Sequence, residues 1–353
     1  MQIEMTHDYA LLIRPSANRV FGGHAGALVR AELSMASTHL LDGRIHPGNL
    51  TEIGGVEYLT FTSDDDLSEQ GVARDVVSNL SSAFALFARV DRGDLLRPIA
   101  LAPFDRYDDD LVTIQRYAGK TNEAFTKLLL NVALFCADGA FAALGTRHRV
   151  VVFDPLCGRG TSLNQALLYG ADALGIDHDL RDVQAYATFL KTWLQDKRLK
   201  HQLDASAGRD RFRVTIGRKG AEGSGDRQLV DVVSADTTAA ATHFGRNNVD
   251  VIVADLPYGV QHGSRTEAGG LSRRPGDLLA SALGVWRTVV RPGGAIAVSW
   301  NLKTLSRADV AATMDDAGFE VHDLAESYTF EHRVDRTITR DLVVARRPSV
   351  RNG

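Results

Sequence analysis

Short apolar runs separated by amphipathic stretches dominate the chain from residue 150 onwards. Each run has four to six residues, and the stretches between the runs have helical spacing. Continuous apolar strands that alternate with helices are typical of a parallel sheet covered on both faces. The pattern predicts an α/β domain whose ligands bind beyond the carboxyl ends of the strands. The runs are Val150–Phe153, Ala173–Ile176, Leu229–Val233, Val249–Ala254, Ala295–Trp300 and Leu342–Ala345.

The pattern is more mixed in the first 115 residues. β-like runs at Tyr9–Ile13 and Val56–Phe61 alternate with helical spacing around Ala25–Leu40 and Val72–Phe87. Short strands mixed with helices predict a small α+β domain over residues 1–115.

Three further stretches complete the predicted organisation. Apolar residues at helical spacing predict a helix at Asn122–Phe135, within a connecting segment over 116–148 that leads into the α/β domain over 149–353. Ala205–Arg227 is polar and predicts a hairpin inserted before the third strand. Gln261–Gly276 follows the fourth strand as a loop rich in Gly, Ser and Arg. Both are long enough to suggest a function.

Composition excludes several broad classes of protein. The chain has 353 residues, of which 44% are hydrophobic and 24% charged, which is ordinary globular usage. No run approaches the roughly 18 apolar residues of a membrane span, and the N-terminus lacks the basic region of a secretory signal, so we expect a cytoplasmic protein. Cys136 and Cys157 are the two cysteines; they cannot form a disulfide framework or a four-cysteine zinc site, and no metal site is predicted.

The charge is unevenly divided along the chain. The net charge of −4 argues against nucleic acid as a partner, because affinity for phosphates normally needs a basic surface. Residues 1–148 hold 13 basic and 19 acidic residues, however, while residues 149–353 hold 27 and 25. The arginines of the second part concentrate in the inserted hairpin, the loop after the fourth strand and the C-terminal strands, so the average can hide a phosphate-contacting surface.

A glycine-rich turn follows the first apolar strand, with the sequence DPLCGRGTS from Asp154 to Ser162. Glycines at such a turn let the backbone approach a ligand closely. Asp177 ends the second strand, where a carboxylate can accept the hydroxyls of a ribose, and Asp236 ends the third, where it could accept from an adenine amine. A dinucleotide site needs a third glycine, where this chain has Leu163. Asp154 would repel a pyrophosphate but attract a cation, which favours S-adenosylmethionine over NAD.

Asp255-Leu256-Pro257-Tyr258 directly follows the fourth strand. The Asp255 carboxylate and the Leu256 carbonyl can accept the two protons of an amine, while Pro257 fixes the backbone and Tyr258 stacks on a planar base. An aromatic amine attacks poorly because its lone pair is delocalised into the ring. Two acceptors would aim that lone pair at a sulfonium methyl, and Asp255 could take up the released proton.

The segments DPLCGRGTS, GIDHD, SADTT and DLPYG together resemble the class I S-adenosylmethionine-dependent amino-methyltransferases with a [D/N/S]-[P/L]-P-[Y/F/W] motif. Within that class the sequence is most similar to the tRNA guanine exocyclic-amine (N2) methyltransferases, over residues 115–350. The resemblance implies a Rossmann-like, seven-stranded methyltransferase sheet next to the smaller N-terminal α+β domain. It also implies S-adenosylmethionine as the cofactor.

The resemblance implies roles for individual residues of these motifs and for their neighbours in the same turns. A further family motif falls on Lys120-Thr121-Asn122. The catalytic residues are then Asp255, Leu256, Pro257 and Tyr258. The cofactor residues are Thr121, Asp154, Pro155, Cys157, Gly158, Gly160, Thr161, Asp177, His178, Asp236, Thr237 and Asp255. The substrate residues are Tyr258, Gly259, His262 and Arg265.

The predicted function is methylation of an exocyclic amino group of a nucleobase, with guanine in tRNA or other RNA favoured by the resemblance. Two alternatives stay open. Relatives that modify tRNA usually carry an RNA-binding THUMP domain, which residues 1–115 do not show, so the acceptor could be an amine of a small metabolite or peptide. The chain could also be a non-catalytic module that binds the cofactor or RNA, although the intact tetrad argues against it. No membrane partner is expected.

Overall fold

The computed structural model describes residues 6–15, 19–90, 95–144, 146, 149–217, 227–258, 274–324 and 328–349. The chain divides into two compact units. The first unit comprises Met1–Phe104 and Asp323–Arg340, and the second comprises Asp105–His322 and Asp341–Gly353.

The first unit contains a five-stranded antiparallel sheet with the strand order β2-β3-β1-β4-β5. Its first six elements form a βαββαβ arrangement of the ferredoxin-like type. Tyr9 and Leu11 lie opposite Phe61 and Leu59 on the neighbouring strand, and all four are buried. The elements are β1 (His7–Ile13), α1 (Arg19–His39), β2 (Ile45–Ile53), β3 (Val56–Ser63), α2 (Val72–Asn79), β4 (Ala83–Val90) and β5 (Leu95–Ile99).

One predicted helix of this unit is only half correct. Helical spacing predicted a helix over Val72–Phe87, but α2 ends at Asn79 and the chain continues as strand β4. Leu86 of β4 lies opposite Leu11 of β1, and both are buried. Pairing with the central strand therefore outweighs the local periodicity, as is common for strand residues.

The second unit is an α/β structure around a wide sheet, and all six predicted apolar runs lie in its strands. The sheet order is β13-β15-β12-β11-β6-β7-β10-β9-β8. The elements are α3 (Asp110–Thr113), α4 (Glu123–Cys136), α5 (Ala140–Ala143), β6 (Val151–Asp154), α6 (Thr161–Leu168), β7 (Asp172–Asp177), α7 (Leu180–Asp196), β8 (His201–Leu203), β9 (Arg211–Ile216), β10 (Gln228–Ser234), α8 (Ala240–Phe244), β11 (Val249–Asp255), α9 (Pro275–Val289), β12 (Val290–Asn301), α10 (Arg307–Asp316), β13 (Glu320–His322) and β15 (Thr339–Arg346). The short strand β14 (His332–Arg333) belongs to the first unit.

The Rossmann-like methyltransferase sheet is present, and it is wider than the seven strands expected. Strands β12, β11, β6, β7 and β10 are parallel neighbours. The predicted hairpin contributes β9, which pairs antiparallel with β10 and carries β8 on its outer side. The helix predicted at Asn122–Phe135 is α4, and the Asn122 side chain caps it by accepting from the backbone amides of Ala124 and Phe125. None of the described helices is both long and apolar enough to cross a membrane.

The strand order reverses next to β6. From this strand the chain builds β7 and β10 on one side, then returns to build β11 and β12 on the other. The loops that leave β6 and β11 therefore diverge at their carboxyl ends and leave a crevice between them. Ligands of open α/β sheets bind at such a topological switch point.

The two units do not follow the boundaries expected from the sequence. Residues 105–115 lie in the second unit, where the Arg106 amide donates to the Leu168 carbonyl at 2.7 Å and the Trp193 indole donates to Asp110 at 2.9 Å. Near the C-terminus, Asp323–Arg340 belongs to the first unit. There the buried His332 ring packs edge-on against Phe21 of α1, with 6.2 Å between ring centroids.

Candidate active site

A cavity of about 500 Å³ lies at the switch point of the second unit, within the usual size of a small-molecule site. It brings together residues that the sequence analysis selected from three separate segments of the chain. Asp154 ends β6 and Asp255 ends β11, so neighbouring strands deliver the two carboxylates to the same edge. The selected residues that line the cavity are Thr121, Asp154, Cys157, Gly158, Thr161, Asp255, Leu256, Pro257 and Tyr258.

The glycine-rich turn adopts a backbone that requires glycine. Gly158 has φ +48° and Gly160 has φ +78°, in the left-handed region. A Cβ on Gly160 would lie 2.3 Å from the ring of Tyr186, which is fully buried. The Cys157 amide donates to the Ile176 carbonyl at 2.9 Å and thereby ties the turn to β7. The backbone thus runs close along the cavity wall, as sequence reasoning required.

Cys157 has a packing role in this turn. Its side chain is buried, and burial raises the pKa of its thiol well above the ordinary value. A Cβ on Gly175 of β7 would lie 2.9 Å from its sulfur, so the thiol fills the space above that glycine. A neutral, enclosed thiol is consistent with a methyl transfer that needs no thiolate.

Asp154 is a buried acid at the base of the cavity, with 6% of its surface exposed. The Leu156 amide donates to one of its carboxyl oxygens at 2.9 Å, and the Ser162 hydroxyl donates to the other. Burial, together with the nearby Asp177 and Asp255 carboxylates, raises the pKa of Asp154 to about 7 against the lowering effect of these two hydrogen bonds. Three acids around one end of the cavity would favour a cationic ligand.

Asp177 stabilises the same turn rather than lining the cavity. One of its oxygens accepts from the Gly158 amide at 2.8 Å, and the other accepts from the Asp179 amide at 2.8 Å. Burial raises the pKa of Asp177. Its neighbour His178 is exposed, with its Nδ1 3.5 Å from the Asp177 carboxylate. Asp177 therefore supports the wall that Gly158 presents to the cavity.

Three hydroxyl groups, one of them from the tetrad itself, surround the Asp255 carboxylate at the end of β11. Thr121 and Tyr258 each donate to its Oδ2 at 2.7 Å, and Ser299 donates to Oδ1. The amide of Leu256 donates to the Ser299 carbonyl at 2.8 Å and fixes the first peptide after the strand. Hydrogen bonds to a carboxylate are among the stronger ones in proteins, so Asp255 is held in a defined orientation.

A second wall of the cavity comes from residues that sequence reasoning missed. The Tyr117 hydroxyl lies 2.7 Å from the Thr161 hydroxyl, and the Arg159 guanidinium lies 5.1 Å from the centre of the Tyr117 ring. Arg159 also pairs with Asp182 at 2.9 Å. Tyr117 lies only three residues before the predicted motif at Lys120-Thr121-Asn122, which is the one signal that could have found it.

Several selected residues do not line this cavity. Pro155, Gly160, Asp177 and His178 lie in the surrounding turns. Asp236 is exposed, and its carboxylate accepts from the amide and hydroxyl of Thr238. The hydroxyl oxygen of Thr237 accepts from the Trp286 indole at 2.9 Å, which is a buried structural contact. Gly259, His262 and Arg265 lie outside the described residues.

The geometry fits S-adenosylmethionine. The cavity has the size for a nucleoside ligand, its turn exposes Gly158, and Asp154 and Asp255 both line it. The one basic residue of the turn that lines it, Arg159, is paired with Asp182. A cationic sulfonium with an ammonium group matches this charge, whereas a pyrophosphate would meet Asp154.

Residues 137–294 match a family model described as UPF0020, RMKL-like, methyltransferase domain. The matched segment is just under half of the chain and contains both the glycine-rich turn and the tetrad. A search of curated proteins finds no match.

Solved structures similar to the chain include three methyltransferases. A variant of the 16S rRNA (adenine(1408)-N(1))-methyltransferase from Catenulisporales acidiphilia is 16% identical over 60% of this chain and 91% of that chain, with a TM-score of 0.36. An rRNA methylase from Streptococcus thermophilus is 8% identical over 57% and 88%, with a TM-score of 0.32. The precorrin-6y C5,15-methyltransferase from Geobacter metallireducens is 12% identical over 69% and 97%, with a TM-score of 0.37.

These structural similarities are too distant to bear on the substrate. The family match is independent of them, and it spans the strands whose ends form the cavity. We conclude that the chain is an S-adenosylmethionine-dependent methyltransferase, with its methyltransferase domain in the second unit.

Proposed function

We propose that the protein methylates an exocyclic amino group of a nucleobase, with guanine in tRNA or other RNA as the first candidate. The observation that carries the proposal is the placement of the whole tetrad on the wall of the cavity. A carboxylate, a backbone carbonyl and an aromatic ring stand there in sequence. This set suits a planar amine better than it suits a hydroxyl or a carbon acceptor, because an amine offers two protons and a ring to stack.

The cofactor side of the site would be formed by the glycine-rich turn and its acids. Asp154 would face the ammonium end of S-adenosylmethionine, and Gly158 would give it close access to the backbone. Asp177 lies behind this wall and accepts from the Gly158 amide, so it would act on the ribose end chiefly by holding Gly158 in place. When bound, the cofactor supplies an electrophilic methyl group on sulfur. The remaining work falls to residues of the chain, which must orient the acceptor and take up a proton.

Asp255 is the residue that we assign to that work. The amine nitrogen forms its new bond to the methyl carbon with its own lone pair, the carbon–sulfur bond breaks, and its electron pair stays on sulfur. The nitrogen then loses a proton, which the Asp255 carboxylate can accept. Before transfer, Asp255 and the Leu256 carbonyl would hold the amine so that its lone pair points along the line of attack.

Access to a base inside an RNA helix requires that the base leave the stack. The tetrad lies at the carboxyl end of a strand, on a cavity wall, where a paired base cannot reach. Stacking on Tyr258 would offset part of the cost of flipping the base out. A single-stranded or loop nucleotide would avoid most of that cost.

The test is methyl transfer from labelled S-adenosylmethionine to total tRNA and total RNA, followed by analysis of the nucleosides. We expect label in an N-methylated base. Asp255→Asn should lower the rate by at least about a hundredfold, since the acceptor and proton-acceptor roles are lost together. Its affinity for the cofactor should fall far less than the rate of transfer, because Asp154 still faces the cofactor's charged end in this variant.

Two outcomes would contradict the proposal. No label in any RNA, despite measured cofactor binding, would exclude the substrate class. Unchanged transfer by Asp255→Asn would exclude the tetrad as the amine site. Loss of both transfer and cofactor binding in that variant, with a lowered melting temperature, would indicate a folding defect, and the conservative Asp255→Glu would then be compared.

A small metabolite or peptide amine is the second candidate acceptor. The observation that favours it is the acidic first part of the chain, with 13 basic against 19 acidic residues before residue 149, since such a surface does not attract phosphates. Transfer to small amines in an extract treated with ribonuclease, with none to RNA, would decide for it.

A further inference from the structure

Two hydroxyl side chains from outside the tetrad hold the two oxygens of the Asp255 carboxylate. Ser299 donates to Oδ1, and Thr121 donates to Oδ2 at 2.7 Å. Tyr258 also donates to Oδ2 at 2.7 Å, but it belongs to the tetrad itself. The carboxylate is therefore held from two sides by separate elements, β12 and the segment before α4.

Ser299 is built into the sheet. It lies directly opposite Asp255 in the parallel pairing of β11 and β12 and is fully buried. Its backbone carbonyl accepts from the Leu256 amide at 2.8 Å, while its hydroxyl donates to Asp255. One residue of the neighbouring strand thus fixes both the side chain of Asp255 and the peptide that follows it.

Thr121 is held in place by the start of α4. The next residue, Asn122, caps that helix, and the preceding Lys120 donates from its ammonium group to the Val112 carbonyl at 2.6 Å and pairs with Glu123. The backbone on both sides of Thr121 is therefore anchored. The Thr121 hydroxyl therefore contacts Asp255 from a segment whose two neighbouring residues are held by hydrogen bonds.

We propose that Ser299 and Thr121 are positioning residues that set the direction in which Asp255 accepts the amine. A carboxylate with one donor on each oxygen cannot rotate about its Cβ–Cγ bond without breaking a charge-assisted hydrogen bond. The directions in which the carboxylate can accept a hydrogen bond from the amine are then fixed before the substrate binds. Less conformational freedom therefore has to be lost during methyl transfer. The proposal rests on the proposed function, because it assigns Asp255 to the acceptor amine.

The rate test compares variants that differ only by a hydroxyl group. Thr121→Val removes the donor with little change in shape, Thr121→Ser keeps it, and Ser299→Ala removes the other donor. We expect Thr121→Val and Ser299→Ala each to lower kcat at least about tenfold, because a small misplacement of a reacting group is costly. KM for the acceptor RNA and Kd for the cofactor should stay within about twofold, and Thr121→Ser should retain most of kcat.

Thr192→Val is the matched control. Its hydroxyl donates to the Thr188 carbonyl within the exposed face of α7, at 3.0 Å, and has no contact with the cavity. It should leave kcat unchanged. In an Asp255→Asn background, Thr121→Val should have no further effect on the residual rate, since both act through the same carboxylate. An equal additional loss in that background would overturn the proposal.

A readout that needs no activity separates this inference from the proposed function. Crystal structures of Thr121→Val and Ser299→Ala should show the Asp255 carboxylate rotated or split between two orientations. An unchanged, well-ordered carboxylate in both variants would overturn the positioning role even if the enzyme methylates RNA. Failure of the wild-type protein to methylate any RNA, with the carboxylate disordered in both variants, would count only against the proposed substrate.

Discussion

Asp154 is the residue through which pH would act on cofactor binding. Its pKa is raised from 3.8 to about 7 by burial, with the Asp177 and Asp255 carboxylates adding to the effect. The carboxyl group is therefore largely protonated at pH 6 and charged at pH 8. A cationic ligand binds the charged form, so binding below pH 7 must release a proton.

We expect the affinity for S-adenosylmethionine to fall by up to about tenfold per pH unit below about pH 7. Calorimetric titration between about pH 5.5 and 7.0 measures this, since the sulfonium does not titrate and the α-ammonium group of the ligand stays mostly protonated in that range. Asp154→Asn, which cannot titrate, should bind more weakly at about pH 7.0 and show a flatter profile. Parallel profiles for the two proteins would show that Asp154 does not contact the ligand's charge.

The glycine-rich turn shows how an element can depend on one residue. A side chain at Gly160 meets two costs, the left-handed backbone at φ +78° and the Tyr186 ring 2.3 Å from its Cβ position. Gly170, at the end of α6, has the same φ of +78°, but its Cβ position is 4.0 Å from the nearest atom. Substitutions at these two glycines therefore distinguish the cost of backbone strain from the cost of steric overlap.

We expect Gly160→Ala to lower the free energy of unfolding by about 2–5 kcal/mol, the sum of a left-handed backbone and an overpacked core. Gly170→Ala should cost only the first part, about 1–2 kcal/mol. Urea denaturation of both variants measures the difference. Gly160→Ala should also lose cofactor affinity, whereas Gly170→Ala should bind normally. Equal losses of stability would mean that the Tyr186 ring moves aside without cost.

At the scale of the element, tertiary pairing decided what periodicity could not. Helical spacing was predicted to continue to Phe87, yet residues 83–90 form β4 because β1 needs a partner on that side. Periodicity was reliable for the parallel strands of the second unit, whose side chains are buried on both faces and leave continuous apolar runs. It was less reliable for the antiparallel sheet, where apolar and polar positions mix.

The two units of the molecule are not separated by a single boundary in the sequence. Asp323–Arg340 belongs to the first unit, although the sequence around it belongs to the second. Phe330 and His332 of this segment are almost fully buried, and His332 packs against Phe21 and His24 of α1. The first unit is therefore built from both ends of the chain.

We expect a truncated protein that starts at Asp105 to be unstable. Removal of the first 104 residues would leave His332 without the Phe21 and His24 rings that it packs against, and newly exposed apolar surface in this segment promotes aggregation. Soluble yield and resistance to limited proteolysis measure the effect. A second truncation that also replaces residues 323–340 with a short Gly/Ser linker should recover solubility. Equal solubility of both would show that the return segment does not need the first unit.

By itself, the sequence determined the α/β architecture, the positions of six strands along the chain, and the identity of the turn at Asp154 and the tetrad at Asp255. These features are local, because a strand end and the loop that follows it are contiguous in the chain. Their arrival at one cavity could be expected because the carboxyl ends of parallel strands share an edge.

Only the tertiary structure decided which side chains from elsewhere complete the site. Tyr117 lines the cavity from the segment before α4, and Ser299 reaches the Asp255 carboxylate from the neighbouring strand β12. Thr121 was expected at the site, but its hydrogen bond to Asp255 depends on the path of the loop before α4. The structure likewise placed residues 323–340 in the first unit and shortened the helix after residue 72. Long-range pairing sets these outcomes, and no local pattern of polar and apolar residues encodes which distant segment a strand or side chain will meet.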